Sequence, residues 1–205
     1  MVEAIVTSKT TAPTFDADGK IVYTATAGYN GQIFTDTAIK VLKYKLSIDS
    51  VTVGTNDKIV GTKVTADKFI YLDLQPTGVT VEELLALLGV EYQADVLTLT
   101  LTNSKEGSGL VCNGSILTIT AANNDGHSVS VSYVIIVLGD VNGNGRIEVA
   151  DTYLIAATRV GTSKVELSQY ALLAADVNMN GGLDVADASR NSNKIVFWAD
   201  YKTRL

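Results

Sequence analysis

The 205-residue sequence has little of several things: one cysteine, one histidine, one tryptophan and two prolines. A single cysteine excludes a disulfide within the chain, and Cys112 reads as a small buried hydrophobe. With one cysteine and one histidine, a zinc site built from such ligands is all but excluded. A Cys112–His127 nucleophilic pair is disfavoured too, because His127 follows "NNDG", a hairpin-turn signal. Positive charge is also short. The 16 Lys and Arg stand against 22 Asp and Glu, for a net charge of −6, and the cations are dispersed, which argues against a nucleic-acid partner. No apolar run approaches the roughly 20 residues that span a bilayer; the longest, Tyr133 to Leu138, reads as a strand. The start, "MVEAIVTSKTT", has neither the basic opening nor the apolar centre of a signal peptide. It fits a cytoplasmic protein, or Met1 placed ahead of a piece of a longer exported chain.

What the chain does have, over its first 138 residues, is strand-forming sequence rich in Val, Thr and Ile. "IVYTATAGYNGQIFTDTAIKV" carries Ile21, Tyr23 and Ala25 on one face and turns at Tyr29-Asn30-Gly31, the pattern of a hairpin. "KLSIDSVTV" and "KFIYLDL" follow as further strands. "TGVTVEELLALLG" breaks the pattern: Thr80 caps a helix with Glu83 as its capping-box partner, Leu84, Leu85, Leu87 and Leu88 form its apolar face, and Gly89 ends it. "DVLTLTLT" then alternates Leu97, Leu99 and Leu101 against outward threonines, "SILTITA" repeats the scheme, and Ser128 to Leu138 alternates early and turns wholly apolar late. That last strand enters Gly139 and Asp140 without a flexible linker. From about position 139 the pattern becomes helical.

A repeat lies there. Asp140–Val160 and Asp176–Val196 share nine identities in 21 positions at an offset of 36: Asp140/Asp176, Val141/Val177, Asn142/Asn178, Asn144/Asn180, Gly145/Gly181, Val149/Val185, Ala150/Ala186, Asp151/Asp187 and Val160/Val196. The identities fall where a calcium loop needs oxygen, at positions 1, 3, 5, 7 and 12, with Gly at 6 for the sharp bend. The first loop offers Asp140, Asn142, Asn144, the carbonyl of Arg146, and Asp151; the second offers Asp176, Asn178, Asn180, the carbonyl of Gly182, and Asp187. Glu148 and Asp184 stand at position 9. Ile147 and Leu183, at position 8, are expected to let the paired loops pack together. Three carboxylates are expected to crowd each loop until a structural calcium ion neutralises them. Such residues also favour plain turns, but two copies, each with the twelfth-position Asp, weigh against that reading. "DADGK" at Asp16 serves as a control, since it places Ile21 at position 6 and Ala27 at position 12, and so reads as a turn.

The duplicated loop with a following helix, "GDVNGNGRIEVAD" and "ADVNMNGGLDVAD" separated by "SKVELSQYALLA", resembles the dockerin domain of cellulosomes. The resemblance covers Gly139 to about Phe197. It implies a multidomain chain: a β-rich, sandwich-like module with one short helix over 1–138, divisible near 45, then a small α-helical dockerin with two calcium loop-helix motifs over 139–205. The first part looks like the X-module that accompanies such domains in scaffoldins and cell-surface proteins. The resemblance also implies a non-catalytic assembly role, two structural calcium ions, a cohesin as partner, a monomer in isolation, and an extracellular or bacterial cell-surface location without membrane insertion. Carried over to this chain, the partner-binding positions are Val149, Ala150, Tyr153, Ala156 and Ala157 in the first copy and Val185, Ala186, Ser189, Ser192 and Asn193 in the second. Arg190 stands where the family usually has leucine. The shared Val-Ala pair argues for two interchangeable binding orientations and the unequal helices against. Val149, Ala150, Val185 and Ala186 have a plainer reading as interior packing. Ile195, Phe197 and Trp198 are expected to close the segment against its own start or against the β-rich part.

Two other functional classes stand beside this one. An enzyme site in the β-rich part would need an acid pair in a recognisable frame. Glu82 and Glu83 instead open a helix, where acids suit the dipole, and Glu91, Asp95 and Glu106 read as solvated turn residues. A carbohydrate-binding surface would need an aromatic platform, and Tyr23, Tyr29, Tyr44, Tyr71, Tyr92 and Tyr133 show no two at strand spacing that would build one.

Overall fold

The computed structural model describes residues 3–14, 17–42 and 46–203; Asp16, with its turn reading, and Tyr44 lie outside them. The chain divides into two compact units. One holds residues 1–47 with 93–96 and 121–129, and the other holds 48–92, 97–120 and 130–205.

In the first unit, β1 (Ile5–Thr11), β2 (Gly19–Tyr29) and β3 (Gln32–Leu42) form an antiparallel sheet in that order. The expected hairpin is present: Asn30 and Gly31 both take positive φ, 48° and 78°, the two-residue turn whose twist matches that of its strands. The register aligns Thr7 with Thr24 and Thr24 with Thr37. Gly19 is required by close approach, since a Cβ there would lie 2.3 Å from the backbone nitrogen of Pro13.

The second unit holds most of each strand of a five-stranded sheet in the order β5 (Ile59–Val64), β6 (Phe69–Leu74), β10 (Ser128–Val137), β9 (Ile116–Ala122), β8 (Val96–Thr102), and most of the pair β4 (Ser47–Val53) and β7 (Leu88–Gln93). Strand β10 runs parallel to β6, pairing Ile135 with Ile70 and Val137 with Leu72. Because side chains alternate across a strand, one face of this pair presents Ile70, Leu72, Ile135 and Val137. These join Leu74, Leu84, Val111, Leu117 and Ile119 in the main core. Helix α1 (Val81–Leu85) closes over that core through Leu84, with the Thr80–Glu83 capping box as expected. It is shorter than its sequence suggests. Leu88 and Gly89 leave it for β7, where the Gly54 N–H donates to the Leu87 carbonyl at 2.8 Å.

The opposite face presents Ile136, Phe69, Tyr71 and Val134, and it is covered by Leu138, Leu173 and Ala174. This explains the wholly apolar end of β10, and it corrects the expected fold class. The chain is not an all-β module followed by a small α-helical dockerin with two loop-helix motifs. Among the described residues it is mostly sheet, 42% strand against 20% helix, with five helices, mostly short. Helices α2 (Val149–Arg159), α3 (Gln169–Ala175), α4 (Val185–Val196) and α5 (Trp198–Tyr201) belong to the same compact unit as the five-stranded sheet. The physical reason is that second apolar sheet face, which α3 covers. Among the described residues no helix is long and apolar enough to cross a membrane.

Candidate metal-binding loops and the surface beside them

The segments 140–151 and 176–187 fold around their first and last acids. In the first, the Asp140 carboxylate accepts the N–H groups of Asn144 and Gly145, each at 2.9 Å. The Asn142 and Asn144 side-chain oxygens accept from the Asn144 and Arg146 N–H groups at 3.0 and 2.8 Å. The Asp151 carboxylate reaches back to the Asn142 and Glu148 N–H groups, both at 2.9 Å. The second segment repeats this bond for bond. Asp176 accepts from Asn180 and Gly181 at 3.1 and 2.9 Å, Asn178 from Asn180 and Asn180 from Gly182 at 2.9 and 3.0 Å, and Asp187 from Asn178 and Asp184 at 3.1 and 2.9 Å. The sixth-position glycines are at φ 81° and 89°, a conformation costly for other residues. At Gly145 a Cβ would also meet that of Leu110 at 2.8 Å.

The two loops differ in setting. Asp140, Asp151 and Asp187 are buried, Asp176 and Asp184 half-buried. Loop 1 is also held from outside, since the Asn113 N–H donates to Asp140 at 2.9 Å and the Asn113 side-chain amide donates to the Tyr170 carbonyl at 2.9 Å. Burial pushes the Asp140 carboxyl above its usual range against the pull of its N–H donors. Burial likewise raises Asp151 to about 6, and the Asp140 charge adds to the rise. Asp184 is held low, chiefly by the Ala186 N–H and then by the Asn180 amide.

Among the described residues no three of His, Cys, Asp and Glu gather as a metal-holding group. The expected crowd of three carboxylates in each loop is therefore corrected. In loop 1, Glu148 instead accepts the side-chain amide of Asn144 at 2.7 Å, leaving Asp140 and Asp151 as the interacting acids. Two buried acids whose ionisation is resisted by desolvation, among amide and backbone oxygens, remain a donor set suited to a hard cation. Ile147 and Leu183 do not pack together as expected: Ile147 joins the main sheet core, and Leu183 packs with Val141, Ile155 and Val177 beneath the helices. The reason is that Ile147 is tied toward the sheet unit's Pro76, whose carbonyl accepts the Ile147 N–H at 2.9 Å.

Of the residues singled out as partner-binding, Val149, Ala150, Tyr153 and Ala156 on α2 and Val185, Ala186, Ser189 and Asn193 on α4 are exposed, Ser192 is half-buried and Ala157 is buried. Val149 and Val185 are 74% and 75% exposed, so interior packing does not account for them. Helices α2 and α4 pack on each other, and the Asn191 amide donates to the Thr152 hydroxyl at 3.1 Å.

The sequence reading missed a buried polar cluster under α4. The fully buried Lys194 donates to the Leu138 carbonyl at 2.8 Å and lies 2.5 Å from the Asp73 carboxylate. The Tyr201 hydroxyl donates to Asp73 at 2.8 Å and accepts from Arg190 Nε at 3.0 Å. Burial pushes the Lys194 ammonium below its usual range, opposed by the Asp73 charge. Ile195 packs on the main core, Phe197 is exposed, and Trp198 stacks on Tyr201 with ring centroids 5.8 Å apart. Cys112 is buried, as read, with burial raising its thiol, and His127 lies 3.2 Å from Asp125.

Comparison with known protein families, with curated proteins and with solved structures finds no match to this chain.

Proposed function

We propose that the segment from Asp140 to Phe197 is a non-catalytic docking surface that binds a cohesin-type module when calcium fills its two loops, as part of an extracellular or cell-surface assembly. One observation carries the reading. The same loop hydrogen bonds recur 36 residues apart, and each loop delivers a solvent-exposed Val-Ala pair at the first turn of the helix that follows. In loop 1 Asp140, Asn142, Asn144, the Arg146 carbonyl and Asp151 would hold the ion; in loop 2 Asp176, Asn178, Asn180, the Gly182 carbonyl and Asp187 would. Calcium supplies positive charge between buried carboxylates. The chain's own contribution is geometric. Asp151 and Asp187 each bind the backbone at the start of a helix, so the loop geometry sets where Val149-Ala150 and Val185-Ala186 stand. These pairs, with Tyr153 and Ala156, offer a partner exposed apolar contacts.

The test is calorimetric titration of the whole chain against a panel of cohesins, in calcium and again in excess chelator. The expected result is binding to at least one cohesin in calcium only. Heat from calcium alone with no cohesin bound would leave a metal-binding protein of another kind, and no calcium uptake at all would overturn the reading.

A further inference from the structure

Strand β3 is an open edge. It ends the three-stranded sheet, runs for 11 residues, and is exposed from Gln32 through Val41. Ile33, Phe34, Ile39 and Val41 are all large, apolar and more than half exposed. The two-residue turn at Asn30-Gly31 fixes which backbone groups face outward. The pair that closes such a turn, Tyr29 and Gln32, exchanges both of its hydrogen bonds, and bonded pairs then recur at every second residue. The even-numbered residues of β3 are thus spent on β2, and the odd-numbered ones from Ile33 to Val41 turn their N–H and C=O groups outward. Thr37 behaves accordingly, its N–H donating to the neighbouring Asp36 carboxylate at 2.9 Å.

An edge of this length is a template for another strand unless charge blunts it. The only charges on β3 are Asp36 and Lys40, of opposite sign and placed symmetrically about Ala38. If two β3 strands meet antiparallel on a two-fold axis at Ala38, Asp36 of each copy faces Lys40 of the other. Thr35 then faces Val41, Thr37 faces Ile39, and Phe34 faces Leu42. The outward N–H and C=O groups of Thr35, Thr37, Ile39 and Val41 meet their counterparts, and Asp36 and Lys40 occupy the non-bonded positions, where facing side chains are closest. An axis at Asp36 or at Lys40 would oppose like charges, and axes between would pair neither. The other edge, β1, carries Lys9 and no acid, so it holds no such self-complementary pattern.

We propose that β3 is a self-association edge: two copies of this chain join β3 to β3 antiparallel about Ala38, with Asp36 and Lys40 crossing as two ion pairs that set the register. Such a contact is isologous, the same patch serving both partners, and it replaces the expected monomer with a concentration-dependent dimer. The test is sedimentation equilibrium of the full chain at concentrations up to about 1 mM, with far-ultraviolet circular dichroism to verify the fold of each variant. The wild type is expected to dimerise. Asp36→Lys and Lys40→Asp, each opposing like charges at both crossings, are expected to weaken dimerisation about tenfold or more. The double variant D36K/K40D is expected to restore it, and because it carries both substitutions, its dimerisation would also show that neither spoils the sheet. A wild type that stays monomeric overturns the proposal and leaves the edge for a strand of another protein. Single reversals that dimerise as well as the wild type, or a double variant that stays as weak as the singles, overturn it as well.

Discussion

The two copies of the repeat bend their loops with the same bonds and then bury their helices by opposite means. In the first, α2 buries Ile155, packed with Val141 and Val177, and Ala157 is buried as well. In the second, the positions of Ile155 and Thr158 are taken by Asn191 and Lys194, both fully buried, and the ammonium is satisfied by Asp73 and the Leu138 carbonyl. The loops diverge as well: the Asp140 carboxylate is buried and bonded from outside by Asn113, whereas the half-buried Asp176 carboxylate accepts from Asn180 and Gly181 of its own loop. A repeated motif therefore fixes local backbone geometry, while its surroundings decide how much energy rests on each copy. A buried charge that keeps its partners is tolerated; removing one of them is costly.

The largest asymmetry is expected at the helices. Lys194→Ala leaves Asp73 buried beside Tyr201 alone and is expected to destabilise the chain by about 3 to 5 kcal/mol. Thr158→Ala, at the matching place in α2, is expected to cost about 1 kcal/mol or less; urea unfolding compares them. Next come the first ligand positions. Asp140→Ala strands three N–H groups in a buried site and is expected to cost about 3 kcal/mol, against about 1 kcal/mol for Asp176→Ala, again read by urea unfolding in chelator. Equal losses would remove the distinction between an inner and an outer loop.

Proton linkage sharpens the comparison further. The Asp151 carboxyl is raised from 3.8 to about 6, so between those values the folded state holds a proton that the unfolded chain has released. Stability in chelator is thus expected to fall by about 1 to 3 kcal/mol as pH rises from about 4 to about 6, then level off. Asp151→Asn should flatten that slope. If calcium binds loop 1 as proposed, it must displace this proton, and its affinity there is expected to drop about tenfold per pH unit below about 6. The smallest effects on stability belong to Val149→Arg and Val185→Arg, each expected to change it by about 0.5 kcal/mol or less; if the proposed docking holds, each is also expected to weaken cohesin binding in calorimetry. If only one of them weakens binding, the copies are not interchangeable as docking surfaces.

Local chemistry was legible in the sequence: the Asn30-Gly31 hairpin, the Thr80–Glu83 capping box and the Leu/Thr alternation of β8. What escaped depends on partners far along the chain. The helix begun at Thr80 yields to β7 because β4 supplies a strand to pair with. Ile147 goes to the sheet core instead of to Leu183, since Pro76 offers a carbonyl to its N–H. Asn113 sits in "CNGS", which signals a turn and nothing about Asp140. Lys194 lies in a helix that reads as polar and solvated, and its partners Asp73 and Leu138 stand more than fifty residues away. The fold class escapes the sequence for the same reason, since a helical-looking segment does not disclose that its apolar side is a lid for a sheet.

Strand β10 leads through Leu138 and Gly139 straight into Asp140, and on either side of it lie β6 and β9. If a docked partner pulls on loop 1, tension enters β10 along its own axis. The ladders to both neighbours are then loaded in shear, and many hydrogen bonds must yield together instead of one after another. Resistance to such a pull is governed by the rate of forced unfolding and not by equilibrium stability. The molecule's grip would accordingly be set by the sheet that backs the loops, and a tether of this kind can hold under load even where its individual contacts to the partner are weak.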